Sequence, residues 1–334
     1  MEREKPVRHL GLFFCIATTL LGVAPAHARP SSHGWDYLID RLVRDGEPRT
    51  EVERVFSDPR MPPFDGLRFS PEPRGESAQL YRGFLQARSV AQARECWNRY
   101  RRELELAQRA TGVPSTLLAS LLHVESRCGQ NTGRHRILFR LARLAMAGEP
   151  INLRGNIDFW LDGGRLDFAE LERKLSGRAR DLEDIFYPEV RAALEIARLW
   201  RVDPLELRGS SAGALGWPQF LPSSVLRFGR DGNDDARVDL TDPADAALSA
   251  AEYLRAYGWQ PHATYEEQRR ALWYYNRSKA YVDTVFGLHQ RLRQAASDSS
   301  PREVVKRTTA ARKTKQEATE PSGRTPLSRS KPRP

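Results

Sequence analysis

The chain has 334 residues, enough for one large domain or two modest ones, and its 40% hydrophobic content supports a real core. Its net charge of +10 is unevenly placed: residues 1–28 carry +1 and residues 301–334 carry +7, leaving +2 on the body between them. A nucleic-acid binder carries its charge on a folded face, so this near-neutral body argues against that class.

The first 28 residues read as a signal peptide. Arg3, Lys5 and Arg8 make the positive end, residues 10–23 the apolar run, and Ala26-His27-Ala28 the cleavage site. The run is too short for a comfortable membrane span. Cys15 invites a lipoprotein reading, but Leu12-Phe13-Phe14-Cys15 lacks the small residue before cysteine, and the apolar run continues past it. A soluble exported protein is the preferred reading, with a lipid or uncleaved anchor as the other. Cleavage leaves Cys96 and Cys128, for which two readings stand. An exported protein meets oxidants, which allows a disulfide; the plainer reading is two small buried thiols.

Trp35, Leu38, Ile39, Leu42, Val43, Val52, Val55 and Phe56 recur at helical spacing, interrupted by Gly46-Glu47-Pro48. Residues 35–56 therefore read as two short helices. Residues 58–75 are rich in Pro and Gly and read as a surface loop. Helical pattern returns over 81–111, from Tyr81, Phe84 and Leu85 through Cys96, Trp97 and Tyr100 to Leu104 and Ala107.

In residues 112–133, Pro114 suits the first turn of a helix and Gly129 its C-terminal stop. Leu117, Leu118, Leu121 and Leu122 form a core-facing stripe between them. Glu125 lies four residues after Leu121 and eight after Leu117, so it falls on that stripe. An acid there is costly unless it is paired or protonated. Burial and the negative end of the helix dipole both favour the protonated form, which is what a general acid needs. The bland alternative turns Glu125 outward or pairs it with Arg127 or another base.

Residues 136–147 and 168–176 read as short helices with Gly163-Gly164 between them. Residues 185–202 read as a longer one, with Ile185, Phe186, Val190, Ala193, Leu194, Ala197 and Leu199 as its apolar side. No strand-like alternation and no internal repeat stand out. Three glycines and two prolines in 209–224 force a backbone that doubles back between helices and can approach a ligand closely. In 231–245, Asp231, Asn233 and Asp235 stand at the first, third and fifth positions of a calcium loop, with the Arg237 carbonyl at the seventh. Ala236 falls where the sharp turn wants glycine, at a cost of about 1 kcal/mol. Asp242 and Asp245 also make a good helix start. From residue 295 onward Ser, Thr, Arg, Lys and Pro dominate, as in a disordered segment. That tail is either a plain solvated terminus or a weak, salt-sensitive tether to anionic envelope polymers.

The segment GVPSTLLASLLHVESRCG resembles the catalytic helix of the peptidoglycan lytic transglycosylases, in particular the membrane-bound lytic transglycosylase B family. That pattern is an apolar helix ending in Val-Glu-Ser, an aromatic residue and Gly. Cys128 stands here where the aromatic is usual, and His123 where a small residue is usual. The resemblance runs from about Trp35 to about Leu292 and extends to GSSAGALGWPQFLPSS, to the 231–245 loop and to the Tyr-Asn block near Tyr275. It implies an all-α, lysozyme-like catalytic core over residues 111–294, an N-terminal helical extension over 29–110 and a disordered tail over 295–334. It also implies that Glu125 is the catalytic acid. Ser210, Gln219, Asn276, Tyr281, Tyr253, Tyr275 and Tyr81 are then substrate-binding, with Trp217 and Phe220 offering apolar surface to sugar rings. For the tyrosines, core packing with satisfied hydroxyls is the alternative. The loop would hold a structural calcium through Asp231, Asn233, Asp235, Arg237 and Asp245. Founding members carry a β-rich insertion after Gly258-Trp259; here only residues 260–274 fill that gap, which implies a more open cleft.

The implied function is a monomeric periplasmic enzyme that cuts the β-1,4 bond between N-acetylmuramic acid and N-acetylglucosamine without water, giving 1,6-anhydromuramyl products. No cofactor is required for that chemistry. Neither 209–224 nor 271–281 contains an acid, whereas most glycosidases pair two carboxylates. The alternatives are a hydrolytic muramidase and a non-catalytic peptidoglycan-binding scaffold.

Overall fold

The computed structural model describes residues 32–72, 77–162 and 167–298. The signal-peptide reading, the Gly163-Gly164 break and residues 299–334 of the expected tail lie outside the described residues, while 295–298, expected in that tail, instead continue the last helix. Within them, the helices run α1 (Asp36–Arg44), α2 (Arg49–Phe56), a 3-10 segment (Ala78–Leu85), α3 (Ala87–Arg99), α4 (Arg101–Thr111) and α5 (Ser115–Ser126). They continue as α6 (Ile137–Leu144), α7 (Pro150–Leu161), α8 (Phe168–Trp200), α9 (Pro222–Phe228), α10 (Pro243–Ala256), α11 (Tyr265–Tyr275) and α12 (Lys279–Asp298). The fold is all-α, as expected, apart from one two-residue antiparallel pair, β1 (His135–Arg136) with β2 (Arg208–Gly209). No helix of the described residues is long and apolar enough to cross a membrane. A short link at 257–264 joins α10 to α11, so the β-rich insertion of the founding members has no counterpart there.

Two large apolar clusters organise the packing, beside a smaller third around Ile157, Leu171 and Leu175. In the first, Trp35, Leu38, Leu42 and Phe56 of the α1–α2 region meet Leu138 and Leu141 of α6, Val190 and Leu194 of α8, and Phe228 of α9. In the second, Leu117, Leu118, Leu121 and Leu122 of α5 meet Trp97 of α3, Leu104 of α4, Ala246, Ala247 and Ala250 of α10, and Val285 and Leu288 of α12. Each fully buried leucine contributes about 1.5–3 kcal/mol of apolar burial. The small alanines of α10 let that helix approach closely.

The structure corrects the reading of α5. Every residue from Ser115 to His123 is buried, so the helix has no stripe but is sealed on all sides. Two of its hydroxyls return to the backbone: Ser120 Oγ donates to the Thr116 carbonyl at 2.7 Å and Ser126 Oγ to the Leu122 carbonyl at 3.3 Å. The two helices expected at 168–176 and 185–202 are parts of one 33-residue helix that runs through Pro188. An interior proline costs about 3 kcal/mol, and tertiary anchoring outweighs it. Glu183 accepts hydrogen bonds from Arg41 (3.1 Å), Tyr37 (3.2 Å) and the Gly148 N–H (2.7 Å). Glu189 accepts from the Ser223 N–H and hydroxyl, at 2.8 and 2.5 Å. Ile185 and Leu199, expected on the apolar side, are instead 50% and 64% exposed. Helix α7 was not anticipated; its Asn152 and Asn156 accept from the Leu67 and Phe69 N–H groups and hold the expected surface loop in place.

Two buried imidazoles give stability a definite pH dependence. His123 Nε2 lies 2.8 Å from Ser89 Oγ, and His289 Nδ1 lies 3.0 Å from Thr116 Oγ1. Burial, with Arg127 near the first and Arg293 near the second, lowers each pKa from 6.5 to about 4. The unfolded chain thus binds both protons near pH 6.5, while the folded chain resists them until about pH 4. Stability is fully present above the unfolded value and is lost as pH falls through this window. Urea unfolding should show a loss of roughly 3 kcal/mol per histidine, and His289→Gln should remove about half of the slope. A stability that stays flat across the window would contradict this assignment.

Candidate active site

The end of α5 is a reversal built from three successive left-handed residues: Arg127 (φ 51°), Cys128 (φ 53°) and Gly129 (φ 81°). The helix therefore stops at Arg127, two residues before the expected glycine. Such a conformation costs roughly 1–2 kcal/mol at each non-glycine residue. Local hydrogen bonds oppose that cost. The Arg127 N–H donates to the His123 carbonyl and the Cys128 N–H to the Leu122 carbonyl, each at 3.0 Å, and the Gly129 N–H donates to Ser126 Oγ at 2.9 Å. Gly129 admits no side chain, because a Cβ would lie 2.1 Å from Trp217 Nε1. Cys128 forms a disulfide with Cys96 of α3, their Cα atoms 6.3 Å apart, which decides between the two cysteine readings.

Glu125 is half-buried beside this reversal. Tyr281, in the first turn of α12 and only 1% exposed, donates its hydroxyl to Glu125 Oε1 at 2.5 Å. Burial, and then the charge of Glu125, push the Tyr281 and Tyr275 hydroxyls well above their usual range, so both keep their protons. The Tyr275 ring stacks on Tyr281 with centroids 6.4 Å apart and planes 8° apart, and its hydroxyl donates to the Pro218 carbonyl at 2.6 Å. Tyr81, from the 3-10 segment, meets the Tyr281 ring edge-on at 5.9 Å and accepts from Asn276 Nδ2 at 3.3 Å. Glu125, Tyr281, Tyr275, Tyr81 and Asn276 are thus one connected set.

The 209–224 loop adjoins this set through Pro218. Gln219, at φ 53°, donates from Nε2 to the Gly216 carbonyl at 2.8 Å and to the Thr132 carbonyl at 3.4 Å. At the loop's other end Gly209 pairs with His135, and a Cβ on Gly133 would lie 2.1 Å from the Gly209 carbonyl. Ser210 Oγ accepts from the Ala212 and Ala214 N–H groups at 3.2 and 3.0 Å, turned onto its own loop. Tyr253 is buried; it donates to the Tyr274 carbonyl at 2.8 Å and backs the Tyr275 ring at 4.8 Å. Trp217 and Phe220 do not present faces to a cleft, being 7% and 3% exposed. Trp217 packs on Tyr100, and Phe220 packs on Tyr253, Tyr275 and Phe228. The Pro218 and Thr132 carbonyls, which fix Tyr275 and Gln219, gave no signal in sequence because any residue supplies a carbonyl.

In the 231–245 loop, Asp231 accepts from the Asp235 and Ala236 N–H groups at 3.2 and 2.7 Å, and Asn233 from Asp235 at 3.1 Å. Asp235 accepts from the Arg237 N–H at 2.9 Å. Asp245, fully buried, accepts from the Gly232 and Asp239 N–H groups at 2.8 and 2.7 Å. Ala236 does adopt the left-handed turn, at φ 66°. The donors are hard oxygens, the kind calcium takes. Among the described residues no three His, Cys, Asp or Glu groups converge closely enough to hold a metal ion.

Three comparisons bear on this arrangement. Residues 32–271 match the Transglycosylase SLT domain family. Membrane-bound lytic murein transglycosylase B of Escherichia coli K12 is 28% identical over 234 residues, which are 66% of this chain and 56% of that protein. The chain thus spans little more than half of that relative's length. The E. coli lytic transglycosylase SLT35, solved in complex with bulgecin A and with calcium, aligns at TM-scores of 0.59 and 0.57 with 22% identity, over 78% of this chain and 93% of the other. Soluble lytic transglycosylase SltB1 from Pseudomonas aeruginosa aligns at a TM-score of 0.59 with 21% identity, over 80% of this chain and 100% of the other. The structural likeness establishes the lysozyme-like fold, and the match over 32–271 establishes that this chain belongs to the Transglycosylase SLT domain family.

Proposed function

We propose that this chain is a peptidoglycan lytic transglycosylase in which Glu125 acts first as acid and then as base. The carrying observation is the 2.5 Å bond from Tyr281 to Glu125 Oε1. It holds the carboxyl group by one oxygen on a donor that keeps its own proton. Glu125 protonates the glycosidic oxygen as the C1–O4 bond breaks. The resulting carboxylate takes the proton of the muramyl 6-hydroxyl as that oxygen bonds to C1. No water is consumed, and no second catalytic carboxylate is needed.

Asn276 offers both a donor and an acceptor to an N-acetyl group, and the Tyr81 and Tyr275 rings border the same space. Gln219 and Ser210 contribute polar groups from the loop, while Tyr253 supports Tyr275 from behind. A periplasmic location fits the disulfide and the signal-like start, and the basic tail would add weak attraction to anionic envelope polymers. A structural calcium would have to draw Asp231, Asn233, Asp235, the Arg237 carbonyl and Asp245 together from the separate backbone N–H groups they now accept from. The loop's turn and donor type suit that ion, and SLT35 has been solved with calcium.

Glu125→Gln should fold normally and lose turnover by at least ~100-fold. Mass spectrometry of digested sacculi should show 1,6-anhydromuramyl ends from the wild type; reducing ends would move the protein to the muramidase reading. Tyr281→Phe, which removes only the hydroxyl, should lower turnover by about 10- to 100-fold with the fold intact. For the metal, calcium added to chelated protein should raise the melting temperature, and Asp231→Ala should abolish the rise. Equal melting temperatures with chelator and with calcium would sink the calcium reading.

A further inference from the structure

Helix α3 holds the end of α5 at two points, one on each side of Glu125 in sequence. Ser89 Oγ lies 2.8 Å from Nε2 of His123, which precedes Glu125 by two residues. Cys96 is bonded to Cys128, three residues after Glu125. Ser89 and Cys96 are seven residues apart, two turns of helix, so both come from one face of α3. All four side chains are buried. His123 on α5 and Cys128 just after it are the two positions that depart from the pattern this segment otherwise resembles.

What the two contacts bracket is strained backbone. Arg127 and Cys128 both hold positive φ, and such a conformation persists only where its surroundings over-determine it. Packing alone leaves this end incompletely filled: a hollow of about 60 Å³, lined in part by Cys96, Tyr100, His123, Arg127 and Cys128, opens beside the disulfide. A covalent bond and a buried hydrogen bond therefore do what close packing does elsewhere around α5.

We infer that Ser89–His123 and Cys96–Cys128 form a clamp by which α3 positions Glu125 for proton transfer. The four are positioning residues, and the inference rests on the proposed role of Glu125. A carboxyl group displaced by about 1 Å loses up to ~100-fold in rate.

The test compares the full chain with Cys96→Ser/Cys128→Ser and with Ser89→Ala, on isolated sacculi well below each melting temperature, with folding checked by circular dichroism. Both variants should lose about 10- to 100-fold in kcat with KM little changed. Wild type reduced with dithiothreitol should show the same loss and recover on reoxidation. A clamp that serves only stability would lower the melting temperature and leave the kcat of folded protein untouched, and that result overturns the proposal. If the double variant does not fold, Ser89→Ala and the reversible reduction decide the matter on the same criterion. Glu125→Gln, run alongside, separates the two ideas. An active Glu125→Gln enzyme removes the acid assignment and the clamp with it. An inactive one beside wild-type kcat in the clamp variants removes the clamp alone.

Discussion

A carboxyl group has to be held at the edge of a helix that is otherwise sealed in apolar core. Helix α5 is buried from its first residue to His123, and only at Val124 and Glu125 does it reach half-exposed surroundings. That position leaves the carboxyl group half-exposed at the end of a helix that is otherwise packed on every side. The neighbouring groups answer the same constraint. Tyr281 brings a donor from α12, the backbone reverses within three residues, and Gly129 makes room for Trp217. A polar group in this position without a partner would cost about 1–3 kcal/mol.

The tyrosines transmit that constraint between the two cores. Tyr281 stacks on Tyr275, and Tyr275 leans on Tyr253, which belongs to the cluster built by α6, α8 and α9. Tyr275 and Tyr253 each give their hydroxyl to a backbone carbonyl, of Pro218 and Tyr274. Aromatic pairs of this kind add about 0.5–1.5 kcal/mol beyond the area they bury. Because each ring is fixed at both its face and its hydroxyl, the Glu125 partner is placed by the whole row rather than by a single rotamer.

Much of the architecture was legible in the sequence where pattern and local chemistry agree. The α1–α2 break at Gly46 and Pro48 and the all-α class were both readable. Failures came where tertiary contacts override local signals. Residues 168–176 and 185–202 read as two helices, yet Glu183 and Glu189 anchor one continuous α8. Periodicity placed Glu125 on an apolar stripe, whereas burial all round leaves no stripe; it was the longer motif that singled the residue out. Trp217 and Phe220 look like sugar platforms by residue type, but the turns of their loop drive both rings inward. The disulfide depended on a distance that no spacing encodes. The carbonyls of Pro218 and Thr132 had no side-chain signature at all.

The positions of positive φ show how the site is held before any ligand arrives. Arg201 is an ordinary helix end, and Asp234 and Ala236 belong to the acidic loop. Arg127 and Cys128 instead follow Glu125 in sequence, and Gln219 follows Pro218, whose carbonyl holds Tyr275. The Arg127–Cys128 reversal leads directly into Thr132, and Gln219 donates to the Thr132 carbonyl. The Gln219 amide therefore ties the two strained segments to each other, and the disulfide ties the Arg127–Cys128 segment to α3. Strain kept at a site by such ties is characteristic of a preorganised arrangement, since relaxing either segment would require breaking its tie first. The glycines of 209–224 serve the same end: they allow Gly209 and Gly133 to meet backbone to backbone, so the loop abuts the strand that leaves α5 with no intervening side chain.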